Sequence, residues 1–229
     1  MSVWGVVLAG GGGTRFGGLK QFAVLGGQTL LERVVDIAAA NCDGVVVVLP
    51  AGHEWPGQGV RATGGATRAE SVRSGLAALP DDAGIVCITD AAHPLATAVL
   101  YERVVQAVRA GADAALPGLP LTDAVKQLED DEEPAPPTAK IAAPGPGPRI
   151  LGLAGATTPA GGHVSAQMPM AFSVPVLRRA HEEIADAVED SAMVAALGGR
   201  VVVVPGEPTN VHVTTPAELA VAHALLPLL

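Results

Sequence analysis

Two rhythms of apolar and polar positions run along this chain. Unbroken apolar runs cover Trp4–Leu8, Val45–Leu49 and Ile85–Thr89. Such runs predict strands buried on both faces of a parallel sheet. Between them the apolar residues fall at helical spacing, as Leu30, Leu31, Val34, Val35, Ile37 and Ala38 do within Thr29–Ala40. Ala69–Leu79, closed by Pro80, and Thr97–Ala110 read as two more helices. Arg61–Thr63 reads as a short strand end and Ala112–Leu116 as a strand. Strand, helix, strand, helix, strand implies an α/β fold with a doubly wound, mostly parallel sheet. Ligands on such sheets bind outside the carboxyl ends of the strands.

The rhythm breaks after Leu116. Leu121–Leu128 reads as a strand, and an acidic block, Glu129–Glu133, follows it. Pro134–Pro148 holds six prolines and no long apolar period. A segment of that composition cannot bury a core. Residues 121–152 are therefore expected as a protruding arm or exposed loop, Pro-rich and without fixed structure at 129–148, on one domain of residues 1–229. Regular structure is expected to resume near Ile150, with helices at Val174–Ala187 and Met193–Leu197 and a last buried strand at Val201–Val204. Thr215-Pro216-Ala217-Glu218 is a capping box with proline at the first helical position, opening a final helix to about Leu226.

Composition narrows the function. Hydrophobic residues make up 49% and aromatics 3%, so Ala, Val and Leu must fill the core. A formal net charge of −9 argues against nucleic acid held on a basic face. No apolar run reaches the roughly 20 residues of a membrane span, and Met1–Trp4 lacks the basic start of a signal peptide. The two cysteines, Cys42 and Cys87, read as small buried hydrophobes, which fits a reducing cytoplasm.

The chemistry starts where the first strand runs into Gly10-Gly11-Gly12-Gly13, followed by Arg15, Gly17, Gly18 and Lys20. Backbone amides converging on one concavity hold an anion, and glycine admits close approach. Lys20 is followed by Gln21, so this is no Walker loop, and no register of the glycines gives a dinucleotide fingerprint. A polyphosphate cradle is the reading that remains. Asp90 follows the strand Ile85–Thr89 and faces the same sheet edge. A carboxylate there suits Mg²⁺, which prefers one or two carboxylates plus substrate phosphates; the competing reading is a helix cap. Gly64-Gly65-Ala66-Thr67-Arg68-Ala69-Glu70-Ser71 is a second glycine turn opening a helix, fit either to meet a base or phosphate or simply to cap.

Together these motifs resemble those of the 2-C-methyl-D-erythritol 4-phosphate cytidylyltransferases. The likeness rests on Leu8–Phe22, Gly64–Val72, Asp90–Pro94, Thr122–Lys126 and Asn210–Leu219, in matching order over nearly the full chain. It implies a homodimer clasped by a β-arm. It also implies transfer of CMP from CTP to a small phosphorylated polyol, with pyrophosphate released and Mg²⁺ as cofactor. By position, Ala9, Gly10, Gly11, Gly12, Gly13, Gly65, Arg68 and Ser71 would bind the nucleotide. Arg15, Lys20 and His212 would be catalytic, His93, Asp123 and Ala124 would meet the acceptor, and Asp90 would hold the metal.

The departures from the family pattern lie on the acceptor side. His93 stands where the family has arginine, Thr89 where it has histidine, Ala124 where it has threonine, and His212 where it has lysine. No Lys or Arg occurs between Arg149 and Arg178. His163 is the remaining histidine placed to reach an acceptor; His53, His181 and His223 are expected mostly at the surface. Three readings follow: this cytidylyltransferase, a nucleotidyltransferase with another phosphate acceptor, or a non-catalytic nucleotide-binding relative.

Overall fold

The computed structural model describes residues 1–11, 16–129, 153–159 and 161–228. Gly12, Gly13, Thr14 and Arg15 lie outside the described residues, as do 130–152 with most of the Pro-rich stretch. The described residues form two compact units. The first comprises Met1–Leu119 and Ala166–Leu229, the second Pro120–Ser165.

In chain order the elements run β1 (Ser2–Leu8), a 3₁₀ turn (Lys20–Phe22), the two-residue strands β2 (Val24–Leu25) and β3 (Gln28–Thr29), and α1 (Leu30–Asn41). Next come β4 (Gly44–Leu49), β5 (Val60–Thr63), α2 (Arg68–Ala77), β6 (Ala83–Asp90), α3 (Ala98–Arg109) and β7 (Ala114–Pro120). β8 (Val125–Glu129), β9 (Leu153–Thr158), β10 (Val164–Ala166) and β11 (Met170–Ser173) follow. α4 (Val174–Glu183), α5 (Asp190–Ala196), β12 (Val201–Pro205) and α6 (Pro216–Leu225) complete the chain.

In the first unit the strand order is β7–β11–β6–β1–β4–β5, with β12 also on β7. β1 pairs in parallel with β4 and β6, β4 with β5, and β7 with β12. β11 runs antiparallel between β6 and β7, pairing Met170 with Ile88 and Ala171 with Ala115. The sheet is thus mixed but mostly parallel. The apolar runs are unbroken because both faces are covered. Val7, Val47 and Cys87 pack with α1 and α3 on one face. Val6, Val46, Val48 and Ile88 pack with α2, α4 and α5 on the other. Burial of each such side chain is worth about 1.5–3 kcal/mol. Gly75 lets α2 lie close on the sheet, since a Cβ there would fall 2.5 Å from Val6 Cγ1.

Three helices start on capping boxes. Thr29 with Glu32, Thr67 with Glu70, and Thr215 with Glu218 each exchange side-chain and backbone bonds across the first turn. A third small cluster, Leu25, Leu30, Leu95, Val213 and Ala222, ties the β2–β3 hairpin to α6 and to the loops after β6 and β12.

Several expectations need correction. β11 is absent from the sequence reading because Met-Ala-Phe-Ser is short and carries no β-branched residue. β12 is not a buried strand: Val203 is 53% exposed. α4 ends at Glu183, since the chain turns extended at Ile184 and Ala185 O accepts from Arg73 Nη1 (3.0 Å). α5 begins at Asp190, three residues before Met193, because that acid is buried. Cys42 and Cys87 are free, with Cys87 buried but Cys42 only partly so.

The second unit carries the antiparallel pair β8–β9, matching Val125 to Thr158 and Lys126 to Thr157, with a register shift between Lys126 and Leu128. Lys126 Nζ bonds Thr157 Oγ1. Leu121 N donates to His163 O (3.1 Å). The expected strand Leu121–Leu128 therefore starts later, at Val125.

Candidate active site

The carboxyl ends of β1 and β6, with the start of α2, surround a cleft of about 330 Å³. Gly10, Lys20, Gly65, Arg68, Ser71 and Asp90 are among its lining residues, with Ala9 and Gly11 beside them. This is the strand-end crevice where α/β sheets take ligands, and its size falls in the range of small-molecule sites.

The first wall is backbone. Ala9 N donates to Val48 O (2.8 Å) and so continues the sheet by one residue. Buried Gln21 then fixes the loop, its Nε2 donating to Ala9 O (2.8 Å) and Gly11 O (3.4 Å). Among the described residues no hydrogen bond occupies the amides of Gly10 and Gly11. Neither glycine has the left-handed backbone, which the loop reaches at Gly17 (φ 86°). A Cβ at Gly10 would make only ordinary contact with Ser71 Oγ (3.5 Å), so the packing there leaves space for one.

The second wall bonds mostly to itself, as the capping reading of its motif expects. The amides of the Gly64 turn are already used. Gly64 N donates to Leu49 O (2.7 Å), Gly65 N to Ser71 Oγ (3.2 Å), and Ala66 N and Thr67 N to Glu70 Oε2 (2.6 and 3.3 Å). Ser71 Oγ donates to Thr67 O (3.0 Å). The capping box and Ser71 take those donors, and Gly65 and Ser71 both line the cleft. Gly65 is required sterically, because a Cβ would sit 2.3 Å from Glu70 Cβ.

Arg68 lines the cleft but is anchored behind it. Its Nη1 lies 2.8 Å from Asp190 Oδ2, and Asp190 Oδ1 lies 3.0 Å from His181 Nε2. Asp190 is 1% exposed. Burial works to raise its pKa, but the His181 bond and the Arg68 charge prevail and hold it below the usual range. Arg68 Nη2 is buried and has no acceptor among the described residues. His181, expected at the surface, is a buried brace.

The third wall is charged. Asp90 is 27% exposed and its Oδ1 lies 2.7 Å from His93 Nδ1. Ala92 N donates to the same oxygen (3.1 Å) and His93 N to Asp90 O (3.2 Å). A carboxylate only accepts, so His93 Nδ1–H is the donor in this bond. Burial alone would raise the Asp90 pKa; the charge and bond of His93, then His212 and Lys20, outweigh it and keep the group ionised. His212 stacks on His93 with ring centroids 4.5 Å apart and planes 9° from parallel. It is placed there by Val213 N, which donates to Ala92 O (2.8 Å). Desolvation, His93 and Lys20 lower the His212 pKa against the pull of Asp90 and Glu218. Lys20 Nζ donates to Val213 O (3.2 Å), within the same corner.

The structure thus gathers Ala9, Gly10, Gly11, Lys20, Gly65, Arg68, Ser71 and Asp90 around one cleft, with His93 on Asp90 and His212 stacked on His93. Arg15, Gly12 and Gly13 lie outside the described residues. Asp123 and Ala124 are exposed residues of the second unit, at the entry to β8. Sequence reasoning missed three contributors: Gln21, Asp190 and the contact between His93 and His212. The Thr-x-x-Glu spacing signalled the internally bonded turn, but nothing local signals a partner from α5.

A family model described as 2-C-methyl-D-erythritol 4-phosphate cytidylyltransferase matches residues 3–135 and 152–227. The chain is 39% identical over 239 residues to the "Bifunctional enzyme IspD/IspF" of Anaeromyxobacter dehalogenans, covering 98% of this chain and 57% of that protein. It therefore spans little more than half the length of such relatives. It is 39% identical over 239 residues to the 2-C-methyl-D-erythritol 4-phosphate cytidylyltransferase of Streptomyces coelicolor, covering 96% and 83%. Among solved structures it resembles the protein of that description from Thermus thermophilus, at 31% identity, TM-score 0.78, and 99% and 100% coverage.

Proposed function

Because the chain belongs to the 2-C-methyl-D-erythritol 4-phosphate cytidylyltransferase family, we propose that it transfers CMP from CTP to 2-C-methyl-D-erythritol 4-phosphate. The observation that carries this reading is the cleft itself. It joins amides at Gly10 and Gly11 that carry no hydrogen bond among the described residues, an ammonium at Lys20 and an ionised Asp90, with the Arg68 guanidinium in its lining. These groups suit a polyphosphate flanked by a metal.

In the proposed reaction the triphosphate lies along Gly10 and Gly11. An acceptor phosphate oxygen attacks the α-phosphorus in line; a P–O bond forms, the α–β P–O bond breaks, and pyrophosphate leaves. Such transfers depend on positioning and charge stabilisation. Lys20, tethered at Val213 O, is placed to stabilise the charge that grows on the transferring group. Gln21 holds the first wall's loop at Ala9 and Gly11, and Ser71 holds the second wall's turn at Gly65 and Thr67. Asp90 would hold Mg²⁺ by one carboxylate, the rest of its shell coming from phosphates, and the ion would supply charge neutralisation.

Homodimerisation and a cytoplasmic setting belong to the same proposal, supported by the resemblance and by two free thiols. Among the described residues no helix is long and apolar enough to cross a membrane.

The test is one assay. Purified protein receives CTP, Mg²⁺ and 2-C-methyl-D-erythritol 4-phosphate, and pyrophosphate is followed. Release dependent on that acceptor is expected. Release only with another phosphorylated polyol would overturn the acceptor assignment, and no nucleotide binding by calorimetry would overturn the activity.

A further inference from the structure

We propose that Cys42 and Cys87 form a redox-active dithiol that closes to a disulfide when hydrogen peroxide reaches it, tying the end of α1 to β6. Both are free thiols, Cys87 buried and Cys42 partly exposed. Cys42 follows α1 with an extended backbone. The next residue clamps it to β1: Asp43 N donates to Val3 O (2.8 Å), and Val3 N donates to Asp43 Oδ2 (2.8 Å). Cys87 lies on β6, in register with Gly5 of β1. Registered residues on neighbouring strands stand about 4.8 Å apart with their side chains on one face. Gly5 has no side chain to place there. A Cβ on it would lie 3.6 Å from Cys42 Sγ. The Cys42 sulfur therefore sits over the bare backbone of Gly5, within a side chain's reach of Cys87. The hydrogen bond with Cys42 leads, ahead of burial, in pushing the Cys87 thiol pKa up.

The difference in burial assigns the two roles. Cys42 lines a groove of about 250 Å³ beside Trp4, Asp43 and Gln58, so an oxidant meets it first. The Cys42 thiolate attacks one peroxide oxygen. An S–O bond forms, the O–O bond breaks, and the departing hydroxide takes up a proton as water. The sulfur, oxidised by two electrons, is now a sulfenic acid. The Cys87 thiol then gives up its proton and attacks the Cys42 sulfur. An S–S bond forms, the S–O bond breaks and a second water leaves. Two thiols and one hydrogen peroxide thus give one disulfide and two waters. A thiol with a raised pKa is a poor first target, and contact with Cys42 supplies the proximity that the second step needs. Disulfides of the cytosol are mostly transient ones of this redox-sensing kind. Neither cysteine lines the active-site cleft, so the pair does not depend on the reaction proposed above.

The test treats the reduced whole chain with hydrogen peroxide, then alkylates, digests and reads it by mass spectrometry. Loss of both free thiols within one chain is expected, with a linked Cys42–Cys87 peptide pair that dithiothreitol separates. The bridged chain should melt roughly 5–10 °C above the reduced one. Cys87→Ala should stop at the Cys42 sulfenic acid, which dimedone captures, while the wild-type chain gives little dimedone adduct. Cys42→Ala should leave Cys87 unoxidised under the same treatment. Circular dichroism melts check that both variants fold, and the wild-type readouts stand without them. Both thiols still free after peroxide has fully oxidised glutathione, Cys42 oxidised alone in the wild-type chain, or a link found only between chains overturns the pair. A bridged chain that melts no higher than the reduced one overturns the tie between α1 and β6.

Discussion

Two aspartate–histidine pairs flank the cleft, and they differ in almost everything but composition. Asp190 and His181 meet at 3.0 Å, both about 2% exposed or less at the side chain, with Arg68 closing the group at 2.8 Å. Asp90 and His93 meet at 2.7 Å, but Asp90 is 27% exposed and His212 and Lys20 stand around it. Both carboxyls titrate below the usual range, and both owe this to histidine and a cation overcoming desolvation. The same pair is therefore a brace where the sheet and helices enclose it, and a site where it ends a strand at the cleft. Burial, not residue type, separates the two roles.

The largest effect should come from breaking the closed pair. Asp190→Ala strands Arg68 and His181 without their carboxylate. Removing one partner of a buried ion pair costs about 3–5 kcal/mol, which lowers Tm by roughly 10 °C in a chain of this size. Asp90→Ala should move Tm by only a few degrees while eliminating pyrophosphate release. Calorimetric melts of both variants check this, and equal Tm losses would erase the distinction between brace and site.

How much of this contrast the sequence carried depends on distance along the chain. The parallel core was legible because Trp4–Leu8, Val45–Leu49 and Ile85–Thr89 are unbroken apolar runs, and both-face burial leaves that mark. Lys20, Asp90 and Arg68 were legible because each follows a strand end or opens a helix. The Asp190–Arg68 pair was not, since α5 opens with an acid that reads as loop and its partner lies in α2. The His93–His212 stack was equally hidden: each histidine was noted alone, and only the Val213–Ala92 bond brings the two loops together. The used-up amides of the Gly64 turn show a different limit. A glycine turn before a helix looks alike whether its donors face a ligand or its own Glu70.

Next in size is the open side. Lys20→Ala removes an ammonium held at the charged corner. Losing one such donor costs about 10²–10³ in turnover. Turnover should fall by that factor while CTP affinity changes less than about tenfold, because the Gly10–Gly11 amides remain. Steady-state kinetics beside nucleotide calorimetry separates the two. Equal losses in both would make Lys20 a binding group only, and the corner would then resemble the Asp190 brace more than a reactive site.

The smallest effect concerns what holds His212 against His93. Glu218 accepts from Thr214 N and Oγ1 (both 2.6 Å) and Thr215 N (2.8 Å). The Thr214 bonds lead in pushing its carboxyl from 4.5 down to about 2. A pKa lowered on folding stabilises the protein above the unfolded value, and that contribution fades as pH falls from 4.5 through 2. Glu218→Gln should remove this part of the acid dependence. At neutral pH it should cost only about 1 kcal/mol, or roughly 2–4 °C. Melts of both proteins between pH 7 and pH 2 check the slope; parallel curves would mean that the Thr214 bonds form equally with the neutral amide.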